Sequence, residues 1–405
     1  MLRFLQPSMK RTFAAILGAI LVAGAVFAWI SVRQEREFRR LIAAGDAALA
    51  RDQTYEAIEA FSGALALKND SMLAYLKRGD SYRRRGELSA ALRDLRQASS
   101  LDPTATRPLE LLGDVNVAMG RYERAAEVYR RYIALDDRAP HVLYKLAVAH
   151  YRNHQPTLAV DPLRRAIAFD DRFAEAHYLL AMCLKDQKHE TEAIQSLGRA
   201  LAINPGLGAA REELAELART RGRTREAIEQ LEALAALEPS QPQRLVDVGL
   251  AYARAGEYDT AITTLGRAAQ RYPEAEVVYI ALGRIWLSLA DARRDRVALS
   301  KALQALEPAA ARANASSDTL TLYGRALLLS GQVEAAERTL QQAASMLPVE
   351  PAAFLYLSSA AQRRGHVSTA HEALIKYTTL IDEDQKTLRA ASPDPARRGV
   401  RPQEN

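Results

Sequence analysis

A chain of 405 residues, 48% apolar but only 6% aromatic, can bury a sizeable core, and its wealth of alanine suits closely packed helices. The formal charge of +6 does not mark a nucleic-acid binder. Residues 1–40 hold seven Lys/Arg against two Asp/Glu and residues 385–405 hold five against two, so the body carries 43 basic and 45 acidic residues. A single cysteine, Cys183, excludes an intramolecular disulfide and a cysteine-based metal cage.

Between Arg11 and Arg33 lie 21 uncharged residues, TFAAILGAILVAGAVFAWISV. As a helix they would be about 31 Å long, enough to cross a bilayer. The sequence predicts one N-terminal transmembrane anchor over about 12–32, inside a leading segment 1–37, with Trp29 near one interface. The competing reading is a cleavable export signal, for which Ala23-Gly24-Ala25 and Val26-Phe27-Ala28 offer small residues at cleavage positions. Lys10 and Arg11 abut the run on one side, while Arg33, Arg36, Arg39 and Arg40 follow it. The balance leans toward a single-pass membrane protein with its body extracytoplasmic, periplasmic in a bacterial host.

Beyond the run, small residues recur every 34 positions: Gly45, Gly79, Gly113, Ala147, Ala181, Ala215, Gly249 and Gly283. Twelve residues after each of the first seven stands an alanine, from Ala57 and Ala91 through Ala125, Ala159, Ala193 and Ala227 to Ala261. A fixed period of this size is the mark of a helical array. Antiparallel helices approach closely only where the facing residues are small, and larger apolar residues fill the grooves around them. Gly86, Gly120, Gly222 and Gly256 punctuate the turns within units, and Pro103, Pro205, Pro239 and Pro273 the connections between them.

This pattern resembles the tetratricopeptide repeat (TPR) family over roughly 38–384. It is clearest in YLKRGDSYRRRGELSAALRDLRQASSLDP, residues 75–103, where Gly79, Tyr82, Gly86, Ala91, Leu95, Ala98 and Pro103 fall on signature positions. The resemblance implies an all-α, right-handed superhelical solenoid of about ten helix-turn-helix units, starting near 38, 72, 106, 140, 174, 208, 242, 276, 317 and 351. The Pro, Gly and charge of residues 385–405 predict a disordered tail.

The rhythm slips once. Gly283 and Gly324 are 41 apart, so seven residues are added within 284–301. One extra turn on each helix would keep both apolar faces in register and leave Asp291, Arg293, Arg294, Asp295 and Arg296 at a projecting tip, with Pro308 inside the second helix. The alternative ends that helix before Pro308 and puts the slack in AAARANASS.

No catalytic or metal-binding pattern stands out, and no cofactor is expected. His189-Glu190 and His371-Glu372 begin like a zinc-protease motif, but Ala193 and Ile375 stand where its second histidine belongs. His150 and His154 span a helix end and the turn after it, with no third ligand in view. The resemblance instead implies a binding groove lined by positions 2, 5, 9, 12 and 13 of each unit. Carried over, His141, Tyr144, Tyr151, Arg152, Tyr178, Met182 and Lys185 form an aromatic and basic patch suited to a protein or peptide partner. The alternative is that these tyrosines only pack between units. Asp46, Asp80, Glu110 and Asp114 predict an acidic end to the groove. Position 5 carries Ile42, Leu76, Glu110 and Tyr144 in the first four units, so the Lys/Asn clamp of chaperone-tail binders is missing. The expected function is a membrane-tethered, non-catalytic interaction scaffold that binds no nucleic acid. The alternative is an exported soluble protein that binds a glycan or cell-envelope polymer.

Overall fold

The computed structural model describes residues 7–391, with side chains described over 21–383 apart from position 293. Twenty helices and no strands are found among the described residues. They divide into two compact halves, one ending at Pro205 and the other beginning at Gly206. The first holds α1 (Pro7–Ala50), α2 (Thr54–Leu67), α3 (Met72–Arg84), α4 (Leu88–Leu101), α5 (Thr106–Ala118), α6 (Tyr122–Leu135), α7 (Pro140–Arg152), α8 (Pro156–Phe169), α9 (Ala174–Asp186) and α10 (Glu190–Ile203). The second holds α11 (Gly208–Thr220), α12 (Thr224–Leu237), α13 (Pro242–Arg254), α14 (Tyr258–Arg271), α15 (Glu276–Arg293), α16 (Arg296–Ala310), α17 (Ser317–Leu329), α18 (Val333–Ala344), α19 (Pro351–Arg363) and α20 (Val367–Ala391). In each half, consecutive helices pair as hairpins, and each hairpin stacks on the next. That is how an array buries apolar faces that no hairpin can bury alone.

The small residues sit where helices of one hairpin cross. A Cβ placed on Gly45 would lie 2.3 Å from the Phe61 ring, one on Gly113 2.2 Å from Tyr129, and one on Gly283 2.3 Å from Leu306. No side chain fits there, and the large partner fills the space: Phe61, Tyr129 and Leu306 are almost completely buried. The alanines at Ala57, Ala91, Ala125, Ala159, Ala193 and Ala261 are equally buried. The turns inside the hairpins need one left-handed residue. Glycine takes that place at Gly86, Gly120, Gly222, Gly256, Gly331 and Gly365, whereas Asp52, His154, Lys188 and Arg294 take it with φ of 59°, 57°, 63° and 50°.

The added seven residues are shared unequally. α15 grows to 18 residues where most first helices have 13, and α16 reaches only 15 where most second helices have 14. The rest lengthens the connector, 311–316. One extra turn on each helix is therefore not what forms. Arg294 turns the chain in the left-handed region, and Asp295 caps α16 by accepting from the Val297 and Ala298 amides. Pro308 does lie inside α16.

At the N-terminus one 44-residue helix, α1, runs from Pro7 into the first repeat. Leu21, Val22, Phe27 and Trp29 are more than half exposed along it. The side chains of 12–20, nearly half of the expected span, lie outside the described ones. Among the described residues no helix is long and apolar enough to cross a membrane. At the other end α20 continues to Ala391, past the point where the sequence places a tail, and 392–405 lie outside the described residues.

Candidate partner-binding face

α7 and α9 are the first helices of neighbouring hairpins in the first half, and they carry all seven residues of the expected patch. The structure divides these into two groups. Tyr144 packs against Phe173 with the rings tilted by 47° and their centroids 4.9 Å apart, and burial, then Glu175, raises its phenol pKa. Tyr151 is pushed up to about 12 by burial and by Asp186 and Cys183, with Asp186 accepting its hydroxyl hydrogen bond. Tyr178 lies near enough to act on the ionisation of both. Tyr178, Met182 and Lys185 are half-buried along α9, while Arg152 is exposed at the end of α7. Tyr151, Arg152 and Asp186 then border an open cleft of about 610 Å³, completed by Tyr122, His154 and Pro156.

His141 belongs elsewhere. Its ring meets Tyr132 edge-on at 6.4 Å, and its Nε2 lies 3.7 Å from Glu110 Oε1. There it joins a network that sequence reasoning missed. Lys145 Nζ donates to Glu110 Oε1 and to Asp114 Oδ2, both at 2.8 Å. Arg107 donates to Glu110 Oε2 at 2.6 Å, and the Tyr129 hydroxyl donates to Asp114 Oδ1 at 2.7 Å. Burial pushes the Glu110 carboxyl up, but Lys145 and Arg107 outweigh it and hold the group below its ordinary value. Burial, reinforced by Asp114, raises the Tyr129 phenol.

The expected acidic end of the groove is thus neutralised from within. Asp46 is paired with Lys77 at 2.6 Å, and Asp80 with Arg83 and Arg84 at 2.7 and 3.2 Å. Asp46–Lys77 and Asp114–Lys145 share a separation of 31 residues, linking the first helix of one hairpin to that of the next. That acid-to-lysine interval was the available signal. His154 occupies a left-handed turn, and His150 Nδ1 faces Gln155 Oε1 at 3.3 Å. No group of three metal-ligating side chains occurs among the described residues.

With this geometry in place, two family models match. One, described as anaphase-promoting complex, cyclosome, subunit 3, covers residues 118–200, and the other, described as tetratricopeptide repeat, covers 212–276. Small glutamine-rich tetratricopeptide repeat-containing protein 2 of Mycosarcoma maydis is 30% identical over 97 residues, which are 24% of this chain and 28% of that protein's length. The crystal structure of the C-terminal part of a TPR repeat-containing protein from Cytophaga hutchinsonii aligns at a TM-score of 0.52 and 17% identity, over 60% of this chain and 98% of that one. This likeness shows the fold. A crystal structure of MamA aligns at a TM-score of 0.39 and 25% identity, over 40% of this chain and 95% of that one.

Proposed function

From the premise that this chain is a protein of the tetratricopeptide-repeat family, we propose that it is a non-catalytic interaction scaffold whose partner docks on the α7/α9 face. The observation that carries the reading is the cluster of Tyr144, Tyr151 and Tyr178, half-buried side by side on the first helices of adjacent hairpins. Such rings offer large apolar area at low entropy cost and a polar tip, which is what interface anchors need. Arg152, exposed at the end of α7 beside Tyr151, favours a partner segment with acidic groups. The reading does not rest on His141, whose Nε2 lies 3.7 Å from Glu110 Oε1.

We further propose that residues 12–32 tether the scaffold to a membrane, with the body extracytoplasmic. The support is the uncharged run itself and its continuation, as one helix, into the first repeat. Two experiments test these readings. Affinity capture with the 38–391 body and with its Tyr144→Ala, Tyr151→Ala, Tyr178→Ala variant should recover a partner only with the unaltered body; equal recovery removes the patch. Fractionation of the chain lacking residues 1–33 should find it released from membranes; retention in the membrane fraction without a partner present removes the tether.

A further inference from the structure

A second opening lies in the other half, between α11, α12 and α13, and nothing in the α7/α9 face accounts for it. Phe61, Leu95, Tyr129, Leu163, Leu197 and Leu265 occupy one repeat position, and each is almost fully buried. Leu231 stands at that position on α12 and is only half-buried. It forms the floor, with Ala215, Ala227, Leu250 and Ala251, of a cleft of about 580 Å³. That volume lies within the usual range for a ligand site and is large enough to admit a whole apolar side chain.

The rim is charged, and most of the charge is already spent. Arg219 makes two hydrogen bonds to Glu216 at 2.7 and 2.6 Å, and Arg244 bonds Glu212 and Glu238, both at 2.6 Å. Two charges remain, both on α13. Among the described residues Asp247 accepts only from Gln243, at 2.9 Å, and exposed Arg254 makes no ion pair. They are seven residues apart, so they lie on one face about 10 Å from each other, with Leu250 and Ala251 between them.

We propose that this cleft binds an amphipathic helical segment of a partner protein, which inserts a leucine-sized side chain onto Leu231 between a basic residue that meets Asp247 and an acidic residue that meets Arg254. The commitment to a helix comes from spacing: an apolar residue flanked by charges three or four positions away on either side reproduces the separation along α13. The commitment to opposite charges comes from Asp247 and Arg254, which have no ionic partner among the described residues. The proposal rests on the scaffold reading but is independent of the tyrosine face.

The test pans a phage-displayed library of randomised helical peptides on the purified full chain. Enriched peptides should carry Leu, Ile or Met between one basic and one acidic residue at those spacings. They should bind Arg254→Glu at least tenfold more weakly by fluorescence anisotropy and bind Tyr151→Ala unchanged. Panning on Asp247→Lys should shift the enriched flanks to acidic residues on both sides. Arg254 is exposed, so its replacement leaves the fold intact, which circular dichroism checks. Failure to enrich any peptide, or enriched peptides that lack the pattern or bind Arg254→Glu equally, would overturn the proposal. Peptides that lose binding on Tyr151→Ala instead would also sink it while leaving the tyrosine face standing.

Discussion

The face of α7 and α9 and the cleft of α11 to α13 use the same repeat positions for different chemistry. At the fifth residue of their hairpins, α7 and α9 present Tyr144 and Tyr178 where α11 presents Glu212. At the twelfth, Tyr151 on α7 corresponds to Arg219 on α11. Beneath them Leu163 and Leu197 are sealed in the first region, whereas Leu231 is open in the second. The helix crossings are the same in both, with small residues at Ala147, Ala181 and Ala215. The lesson is that packing constrains the crossings, while the inner positions are free to build an aromatic face in one place and an apolar cleft with a charged rim in another.

The sharpest way to break this comparison is to delete the equivalent leucines. Leu163→Ala should cost about 3 kcal/mol, because it opens a cavity in a sealed hairpin. Leu231→Ala should cost less, about 2 kcal/mol, because that side chain is partly exposed and its loss opens no sealed cavity. Urea unfolding of the two variants measures both, and equal losses would mean the cleft is closed in solution.

A smaller effect sharpens the contrast at the turns. His154 borders the tyrosine cleft in a left-handed conformation that Gly256 takes after α13. His154→Gly should stabilise by about 1 kcal/mol and Gly256→His should destabilise by a similar amount, read as opposite shifts in melting temperature. Substituting a residue by glycine usually destabilises, so the sign is diagnostic.

The smallest effect concerns pH. Glu110 in the first half is held below its ordinary value of 4.5 by Lys145 and Arg107, which outweigh its burial. Glu337 in the second half, 2% exposed, is held low by His366 and Arg364, at 2.7 and 2.9 Å, against the same opposing effect of burial. A carboxyl with a depressed folded pKa contributes stability that is complete above its unfolded value and lost as pH falls through the folded one. The melting-temperature gap between the wild-type protein and Lys145→Met should therefore be widest near neutrality and close as pH drops below about 4.5. A gap that stays the same however far the pH falls below 4.5 would show that Lys145 acts by packing alone.

Much of the scaffold was legible because its physics is local and repeated. A residue at a helix crossing has no room for a side chain, so Gly45, Gly79 and Gly113 announce the 34-residue period directly. The site was legible only in part. Tyr144, Tyr151 and Tyr178 could be placed on adjacent helices by counting, but counting did not show that His141 lies near Glu110 or that the acids at 46 and 114 are neutralised by lysines 31 residues away. Such pairings depend on how hairpins stack, which a single unit does not reveal. The uneven growth of α15 and α16 depends on Arg294 accepting a left-handed turn, a choice that composition does not signal. The opening above Leu231 was equally hidden, since leucine is the residue that fills the position elsewhere.

The most direct test of the scaffold reading is site-specific photocrosslinking in the cells that make the protein. A benzoylphenylalanine placed at Tyr178 on α9 is compared with one at Arg131, which is exposed on α6. The account predicts a discrete protein adduct from position 178 that is absent from position 131 and is lost when Tyr151→Ala is added. The same adducts from both positions, or an adduct at 178 indifferent to Tyr151→Ala, would contradict it.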